Sequence, residues 1–466
     1  MKFPLIAALW IGAACLPGRA DEGMWLFNQP PREQLRNRYQ FEATDAWLEH
    51  LQKSSVRFNV GGSASFVSED GLLISNHHVG SDAIQKLSTQ EKNLLRDGFH
   101  ARNPADELRC VDLELNVLQS IEDVSARVNR AVPKDADAAA AFAARRSVIA
   151  EIEKEALSQT GFRSDVITLW QGGAYHLYRF KRYTDVRLVF APEQQIAFYG
   201  GDPDNFEFPR HDLDVAFFRA YENGKPVKVK HFLKFSPRGA QDGELVFVSG
   251  HPGRTGRLLT LDELHDLRDR ALPVRLERLK RIEVLLGSWS ERNQENARRA
   301  RNALFSVKNS RKGIEGRLAG LLDPPLLTGK TEAEAKFKER LAAAPEFADA
   351  LAAYEKISTA TRTLASQAGR YDLLEAAQAF YSDSFGIART LLRAGEEFAK
   401  PNGERLREFS DSGKTSLEIG LFSTRPIYTD LEALLLTDAL TFLATELGGD
   451  DALVRAILAG KSPPED

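Results

Sequence analysis

The amino-acid sequence changes character near residue 259, and this change limits the possible folds more than any other feature. Before residue 259, short apolar runs alternate with turn residues, as is typical of strands. After it, Leu, Ala, Glu and Arg dominate, and apolar residues recur at helical spacing. A chain of 466 residues is also longer than one hydrophobic core usually spans. We therefore predict an α+β protein with a mostly β domain over 21–258, carrying a helical insertion, and an α-helical domain over 259–466.

The first twenty residues predict a secretory signal peptide over 1–20. Lys2 precedes an apolar run from Leu5 to Leu16 that is too short to span a bilayer comfortably, and small residues at 18 and 20 form a cleavage site. A lipid anchor at Cys15 is a minor alternative. We expect the mature chain to begin at Asp21 and to be periplasmic or secreted. Cys110 is then its lone cysteine, either buried or paired with another chain.

The charge of the chain argues against two classes of partner. The formal net charge is −4, and no basic stripe is present that would bind nucleic acid or an anionic membrane surface. After the first twenty residues, no apolar stretch is long enough to cross a bilayer. We therefore expect no nucleic acid and no membrane among the partners of the mature chain.

A histidine pair follows a predicted β-hairpin. Apolar runs flank the turn at Asp70-Gly71, and the second run leads to His77, His78 and Val79. Histidine can take and return a proton near neutral pH, and the general base of chymotrypsin-like folds occupies such a setting. On a strand, successive side chains face opposite ways, so only one of the two rings can enter a cleft. We select His78 as the general base, with a purely structural pair as the alternative.

An aspartate opens a later apolar strand. Asp214 precedes the run that begins at Val215 and lies 136 positions after His78, a gap that also contains a predicted helix over 134–158. A carboxylate in this place can fix the tautomer of the histidine and stabilise the imidazolium. Asp212 is a competing carboxylate, and a turn residue without a catalytic role is the other interpretation.

A nucleophile is missing from the expected order of residues. A serine in a Gly-x-Ser-Gly turn should follow the aspartate, because the backbone N–H groups of that turn form the oxyanion hole. The sequence after Asp214 contains no such turn. The stretch most similar to a Gly-x-Ser-Gly turn surrounds Ser412, and we interpret it as a turn between helices.

Four stretches of the sequence carry a resemblance to a known family. They are Glu22 to Trp25, Ser75 to Gly80, Gly200 to His211 and Ser249 to Thr255. With the order of a β region and a helical region, they make the chain similar to the bacterial periplasmic dipeptidyl peptidases seven and eleven, serine-peptidase family 46. The resemblance implies a chymotrypsin-like double β-barrel with an inserted α-helical domain, and removal of dipeptides from the free amino terminus of peptides.

The resemblance also implies roles for five residues. His78 is the base, Asp214 is the orienting acid, and Asn205, Phe206 and Asn309 hold the amino terminus of the substrate. In this family the nucleophilic serine, the oxyanion hole and the residue that selects the P1 side chain lie beyond the helical domain. The resemblance therefore implies an incomplete double barrel here, and a chain that lacks its nucleophile and is by itself inactive.

The leading hypothesis is a serine-type dipeptidyl aminopeptidase that acts on peptides and needs no metal or organic cofactor. The alternative is a non-catalytic remnant that binds peptides or another envelope protein. A metallohydrolase using both histidines, His211 and Asp212 is disfavoured, because the sequence has no His-Glu-x-x-His helix. The helical surfaces over 259–466 would also allow a homodimer.

Overall fold

The computed structural model describes residues 21, 23–197, 211–253 and 255–463. Its strands all lie before residue 227, and most of its long helices lie after residue 260. The strands are β1 Ser55–Phe58, β2 Ser63–Phe66, β3 Leu72–Ser75, β4 Phe99–His100, β5 Leu108–Arg109, β6 Leu115–Asp123, β7 Arg163–Leu169, β8 Ala174–Tyr183, β9 Asp185–Ala191, β10 Ala216–Glu222 and β11 Lys225–Pro226. The helices are α1 Arg32–Tyr39, α2 Asp45–Ser54, α3 His77–Leu87, α4 Leu94–Asp97, α5 Ser125–Arg130, α6 Ala138–Thr160, α7 Gln194–Ala197, α8 Leu261–Asp266, α9 Leu272–Ser290, α10 Gln294–Leu322, α11 Pro324–Ala342, α12 Ala348–Leu374, α13 Asp383–Glu397, α14 Lys414–Leu421, α15 Thr429–Leu447 and α16 Ala452–Leu458.

The strands form one antiparallel sheet. Its hydrogen-bonded order is β4-β9-β10-β3-β2-β1-β6-β8-β7, with β11 beside β10 and β5 beside β9. Within the described residues this path is open, because its end strands β4 and β7 are not paired with each other. The structure therefore establishes a mixed α and β fold with an antiparallel sheet, and closure into a double β-barrel stays a prediction.

The hairpin predicted at Asp70-Gly71 is confirmed as β2 and β3. Gly71 has a φ of +68°, a left-handed conformation that glycine adopts without a steric penalty. Phe66 pairs with Leu73 across the hairpin, and both side chains are buried in the main core of the sheet. The hairpin therefore holds the end of β3, and the residues that follow it, in a fixed position.

A second core lies under the helix that interrupts the β region. The helix predicted over 134–158 is present as α6, and Ile152 on this helix packs against Val166 on β7 and Leu177 on β8. This packing gives α6 a buried face on the outer strands of the sheet.

The second half of the chain is helical, with cores of its own. Leu286 and Trp289 of α9 pack with Ala300 of α10 and Leu435 of α15. No helix among the described residues combines the length and the apolar character that crossing a bilayer requires.

Residues 402–423 return from the helices to the sheet. Ser412 Oγ donates a hydrogen bond to the carbonyl of Ser164 on β7 and accepts one from its backbone N–H. Ser416 Oγ donates to the carboxylate of Glu114, next to β6, at 2.9 Å. The helical half therefore contacts the sheet through hydrogen bonds between residues that are far apart in the sequence.

The apolar pattern of residues 244–250 predicts a strand, and this prediction is wrong, because the segment forms none. The segment passes the β1–β2 hairpin without forming backbone hydrogen bonds of a β-sheet to it. The backbone N–H of His251 donates instead to a side chain, Ser63 Oγ, at 2.7 Å, and Val248 is fully exposed. Alternating apolar residues form a strand only where a neighbouring backbone edge is free to pair. Both edges of β1 and of β2 are already occupied by other strands.

Candidate active site

The histidine pair lies on the first turn of helix α3. β3 ends at Ser75, Asn76 is the N-cap with an extended backbone, and the helix begins at His77. The expectation that the strand continues through the pair is wrong, because a helix begins at His77 and the carboxylate of Asp214 accepts from the backbone N–H of its second residue, His78. Successive side chains on a helix are about 100° apart, which still separates the two rings. His77 is 2 % exposed, whereas the side chain of His78 is 40 % exposed.

The pairing of β3 with β10 brings Asp214 to the start of α3. Ser75 is the register partner of Ala216, so the residues after Ser75 and those before Ala216 lie at the same end of the sheet. His78 Nδ1 is 2.6 Å from Asp214 Oδ2, and the backbone N–H of His78 donates to Asp214 Oδ1 at 3.0 Å. The carboxylate therefore contacts both the ring and the backbone of His78.

The hydrogen bonds keep Asp214 ionised. Burial by itself would raise the pKa of Asp214, but the hydrogen bonds from His78 and from Asn76 outweigh it and lower the pKa below its ordinary value. An ionised carboxylate accepts the proton on Nδ1, so the neutral ring carries its free lone pair on Nε2. Nε2 lies on the side of the ring away from Asp214 and can take up a proton there.

His77 has a different environment. Burial lowers the pKa of His77 to about 4, against the attraction of the nearby Asp214. Its Nε2 is buried without a hydrogen-bond partner among the described residues. The ring is therefore neutral at neutral pH and adds no positive charge beside His78.

Helix α10 lies against the helix that carries the histidines. Ser81 Oγ donates to the carbonyl of His78 at 2.9 Å and lies 3.2 Å from Oδ1 of Asn302 on α10. Asn309 follows Asn302 by seven residues on the same helix, which is about two turns and so nearly the same face. The helical half of the chain thus reaches the region of His78.

Asn205 and Phe206 lie outside the described residues. The described chain on either side of their segment comes together, because the backbone N–H of Leu213 donates to the carbonyl of Ile196 at 2.8 Å. Leu213 is the neighbour of Asp214 in the sequence. The described residues on the two sides of this segment therefore meet next to the His78–Asp214 pair.

Other residues considered in the sequence have different surroundings. Asp212 is exposed, while the ring of His78 pairs with Asp214. Ser412 lies in the turn before α14, as predicted.

Cys110 is buried, and burial raises the pKa of its thiol to about 12. Among the described residues, no group of three or more His, Cys, Asp or Glu side chains could hold a metal ion.

The contact of Asn76 with the carboxylate was not predicted from the sequence. Asn76 Nδ2 donates to Asp214 Oδ2 at 2.9 Å. The sequence did contain a signal for the position of Asn76, because asparagine directly before a helix is a favoured N-cap. Its hydrogen-bond partner could not be predicted from neighbouring residues, since Asp214 is 138 residues away.

A histidine with one ring nitrogen on a half-buried carboxylate has the geometry of the acid–base pair found in hydrolases that use a nucleophile. The model of the family described as Peptidase S46 matches residues 20–466. The chain therefore belongs to this peptidase family.

Curated relatives agree with the family. Dipeptidyl-peptidase 7 of Phocaeicola vulgatus is 30 % identical over 364 residues, which cover 72 % of this chain and 50 % of that protein. The Asp/Glu-specific dipeptidyl-peptidase of Porphyromonas endodontalis is 33 % identical over 280 residues, covering 55 % of this chain and 39 % of that protein. The chain thus spans about half the length of the curated relatives that it matches.

A solved structure has a similar fold. Porphyromonas endodontalis DPP11 in complex with the dipeptide Arg-Glu matches with a TM-score of 0.76 and 25 % sequence identity, over 96 % of this chain and 67 % of that chain.

Proposed function

We propose that this chain is the amino-terminal part of a serine-type dipeptidyl-peptidase, which removes dipeptides from the free amino terminus of peptides. The proposal rests on the 2.6 Å contact between His78 Nδ1 and Asp214 Oδ2 in a chain of the Peptidase S46 family. The names of the relatives, a dipeptidyl-peptidase 7 and an Asp/Glu-specific dipeptidyl-peptidase, support the same substrate class.

In the proposed reaction His78 is the general base. Its Nε2 takes the proton of a serine hydroxyl as the serine attacks the scissile carbonyl, and it then gives this proton to the leaving amine. Asp214 holds the ring in the required tautomer and stabilises the imidazolium. Water, activated by the same nitrogen, hydrolyses the acyl-enzyme and releases the dipeptide. No metal ion or organic cofactor takes part in this scheme.

We place the nucleophilic serine outside residues 1–466. The sequence after Asp214 has no Gly-x-Ser-Gly turn, and Ser412, the nearest imitation, is bonded to Ser164. The oxyanion hole and the residue that selects the P1 side chain belong to the same missing part in this proposal. The chain alone is then inactive.

We also propose that Asn205, Phe206 and Asn309 bind the terminal ammonium group of the substrate. An asparagine carbonyl accepts a hydrogen bond from an ammonium group without adding charge. Holding the terminus in place fixes the number of residues between it and the bond that is cleaved. Two contacts support this arrangement. Ser81 contacts Asn302, which lies on the same helix as Asn309, and the backbone N–H of Leu213, next to Asp214, donates to the carbonyl of Ile196.

We propose that the protein consists of a signal peptide over 1–20, a peptidase domain over 21–258 and a helical cap domain over 259–466. The sheet would close into a double β-barrel with polypeptide outside this sequence. The mature enzyme would be periplasmic or secreted, act on peptides and form a homodimer through its helical surfaces.

The first test is a substitution of the base in the full-length protein. His78→Ala should lower kcat/KM for dipeptidyl amides with a free amino terminus by at least about 1000-fold, because proton transfer from the nucleophile is lost. Fluorogenic substrates with apolar and acidic P1 residues measure this loss, and circular dichroism checks the fold. His100→Ala is the matched control, because His100 is an exposed histidine on β4; this variant should keep the parent activity.

Activity of His78→Ala within about tenfold of the parent would remove His78 from the mechanism.

Acetylation of the substrate's amino terminus should also stop cleavage. Cleavage that continues after acetylation would indicate an endopeptidase. A fluorophosphonate probe should label a serine outside residues 1–466. An unlabelled mature protein with the mass of residues 21–466 would instead favour the peptide-binding remnant.

A further inference from the structure

Helix α3 is capped by a residue from another strand. An N-cap side chain usually accepts a hydrogen bond from the N–H of the second or third helical residue. Asn76, the N-cap of α3, makes no such bond. The N–H of His78, the second helical residue, donates instead to Oδ1 of Asp214 at 3.0 Å. The carboxylate of Asp214 therefore takes the place of the usual capping oxygen.

The side chain of Asn76 turns to the same carboxylate. Its Nδ2 donates to Oδ2 of Asp214 at 2.9 Å and lies 3.4 Å from the backbone carbonyl of Asp214. The same Oδ2 is 2.6 Å from Nδ1 of His78. The carboxylate thus has donors on both oxygens, and it cannot rotate about its Cβ–Cγ bond without losing them.

We propose that Asn76 is a positioning residue that holds Asp214 in the rotamer in which Oδ2 meets the ring of His78. This inference rests on the proposed function, in which His78 is the base and Asp214 orients it. Asn76 acts through Asp214 and does not itself contact the substrate.

The chemistry of the amide suits this role. Asn76 donates a hydrogen bond without a charge of its own, so it does not replace the histidine as the cationic partner of the carboxylate. The amino terminus of α3, a helix of 11 residues, also favours a negative group at this point. An aspartate at position 76 would still be a good N-cap, but it would offer no donor and would repel Asp214.

Two substitutions in the full-length protein separate the donor role from a capping role. Asn76→Ala should lower kcat for dipeptidyl amides by about tenfold or more, because a hydrogen bond to a charged group is lost, while KM stays nearly unchanged. Asn76→Asp should lose at least as much. A residue that acted only as a cap would give the opposite order, with a smaller loss of kcat in Asn76→Asp than in Asn76→Ala, because aspartate is also a good N-cap. Asn103→Ala is the control, because Asn103 is the exposed N-cap of the turn at Pro104–Asp106 and should leave kcat unchanged.

A second measurement does not depend on turnover. The proton on Nδ1 of His78, bonded to a carboxylate, should give a far-downfield proton NMR resonance that His78→Ala removes. The resonance should shift or broaden in Asn76→Ala and stay in place in Asn103→Ala. An unchanged resonance together with unchanged kcat in Asn76→Ala would overturn the inference, as would a parent protein without the resonance. If the parent cleaves no peptide but the resonance responds to Asn76→Ala, the proposed function fails and the positioning role stands.

Discussion

Glu153 on helix α6 is a buried carboxylate with one specific hydrogen-bond donor. Its Oε1 accepts from the backbone N–H of Val166 on β7 at 2.7 Å. Burial raises the pKa of Glu153 to about 7, although this hydrogen bond and the nearby arginines Arg407 and Arg163 act in the opposite direction. In the unfolded chain the same group titrates near its ordinary value of 4.5.

This difference makes stability depend on pH. Between about pH 4.5 and 7 the folded state binds more protons than the unfolded state, so the contribution of Glu153 is fully present below this range and is lost as the pH rises through it. Glu153→Gln keeps the acceptor and removes the charge. We expect it to increase the free energy of unfolding by about 1–3 kcal/mol at pH 8, and by much less at pH 5.

Urea denaturation at both pH values measures the effect. Glu151→Gln is the matched control, because Glu151 lies on the same helix with an exposed side chain; it should change stability little at either pH. An equal gain for Glu153→Gln at pH 5 and pH 8 would show that the carboxylate does not titrate as described.

At the scale of elements, the position of helix α3 depends on a close approach to strand β10. A Cβ atom on Gly80 would lie 2.6 Å from the ring of Phe218, which is buried in the sheet core. Helix α3, which carries His78, can therefore lie against β10 only because residue 80 has no side chain. Asp214 directly precedes β10, so this close approach also brings His78 near Asp214.

Gly80→Ala should push α3 away from β10. We expect a loss of about 1–3 kcal/mol in the free energy of unfolding from overpacking. Under the proposed function, the full-length protein should also lose peptidase activity, because His78 moves from Asp214. Gly287→Ala is the matched control, because Gly287 lies within helix α9 with no atom near its added Cβ; it should stabilise by about 0.5–1 kcal/mol. Equal effects of the two variants in urea denaturation would contradict the close approach.

At the scale of the whole molecule, a buried carboxylate joins distant parts of the chain. Glu114, fully buried before β6, is 2.9 Å from Nη1 of Arg163 on β7 and accepts from Nδ2 of Asn116 at 2.8 Å. Ser416 of α14, 302 residues later, donates to the same carboxylate at 2.9 Å. The helical half is therefore attached to the sheet through a charged group that water does not reach.

Glu114→Ala should destabilise the protein by about 1–3 kcal/mol, because Arg163 keeps Asp165 but loses its fully buried partner, and Asn116 and Ser416 lose their acceptor. Residues 402–423 should become more sensitive to limited proteolysis, since Ser416 loses its acceptor. Glu122→Ala is the control: Glu122 lies on β6 and pairs with Arg179 in an exposed position, where a salt bridge contributes about 0–1 kcal/mol. Equal stability and equal cleavage of the two variants would show that Glu114 is not the attachment.

Signals between neighbouring residues predicted several elements correctly. The Asp70-Gly71 turn predicted the β2–β3 hairpin, the helix predicted over 134–158 is present as α6, and the apolar spacing after residue 259 predicted the helical half. These elements form from contacts within a few residues, so a local pattern contains the necessary information. The choice of His78 and Asp214 relied on strand patterns and on the family resemblance; the structure places them 2.6 Å apart, and their catalytic role stays a prediction.

Other features depended on partners that are distant in the sequence. The start of α3 at His77 was missed, because the oxygen that caps the helix belongs to Asp214, 136 residues from His78. The segment 244–250 has the pattern of a strand and remains without one, because its neighbours β1 and β2 are already paired on both edges. The sequence by itself determined the kinds of elements and the residues with the right chemistry. Only the tertiary structure decided which of them meet, because strand register and burial are properties of the whole fold and no short segment contains them.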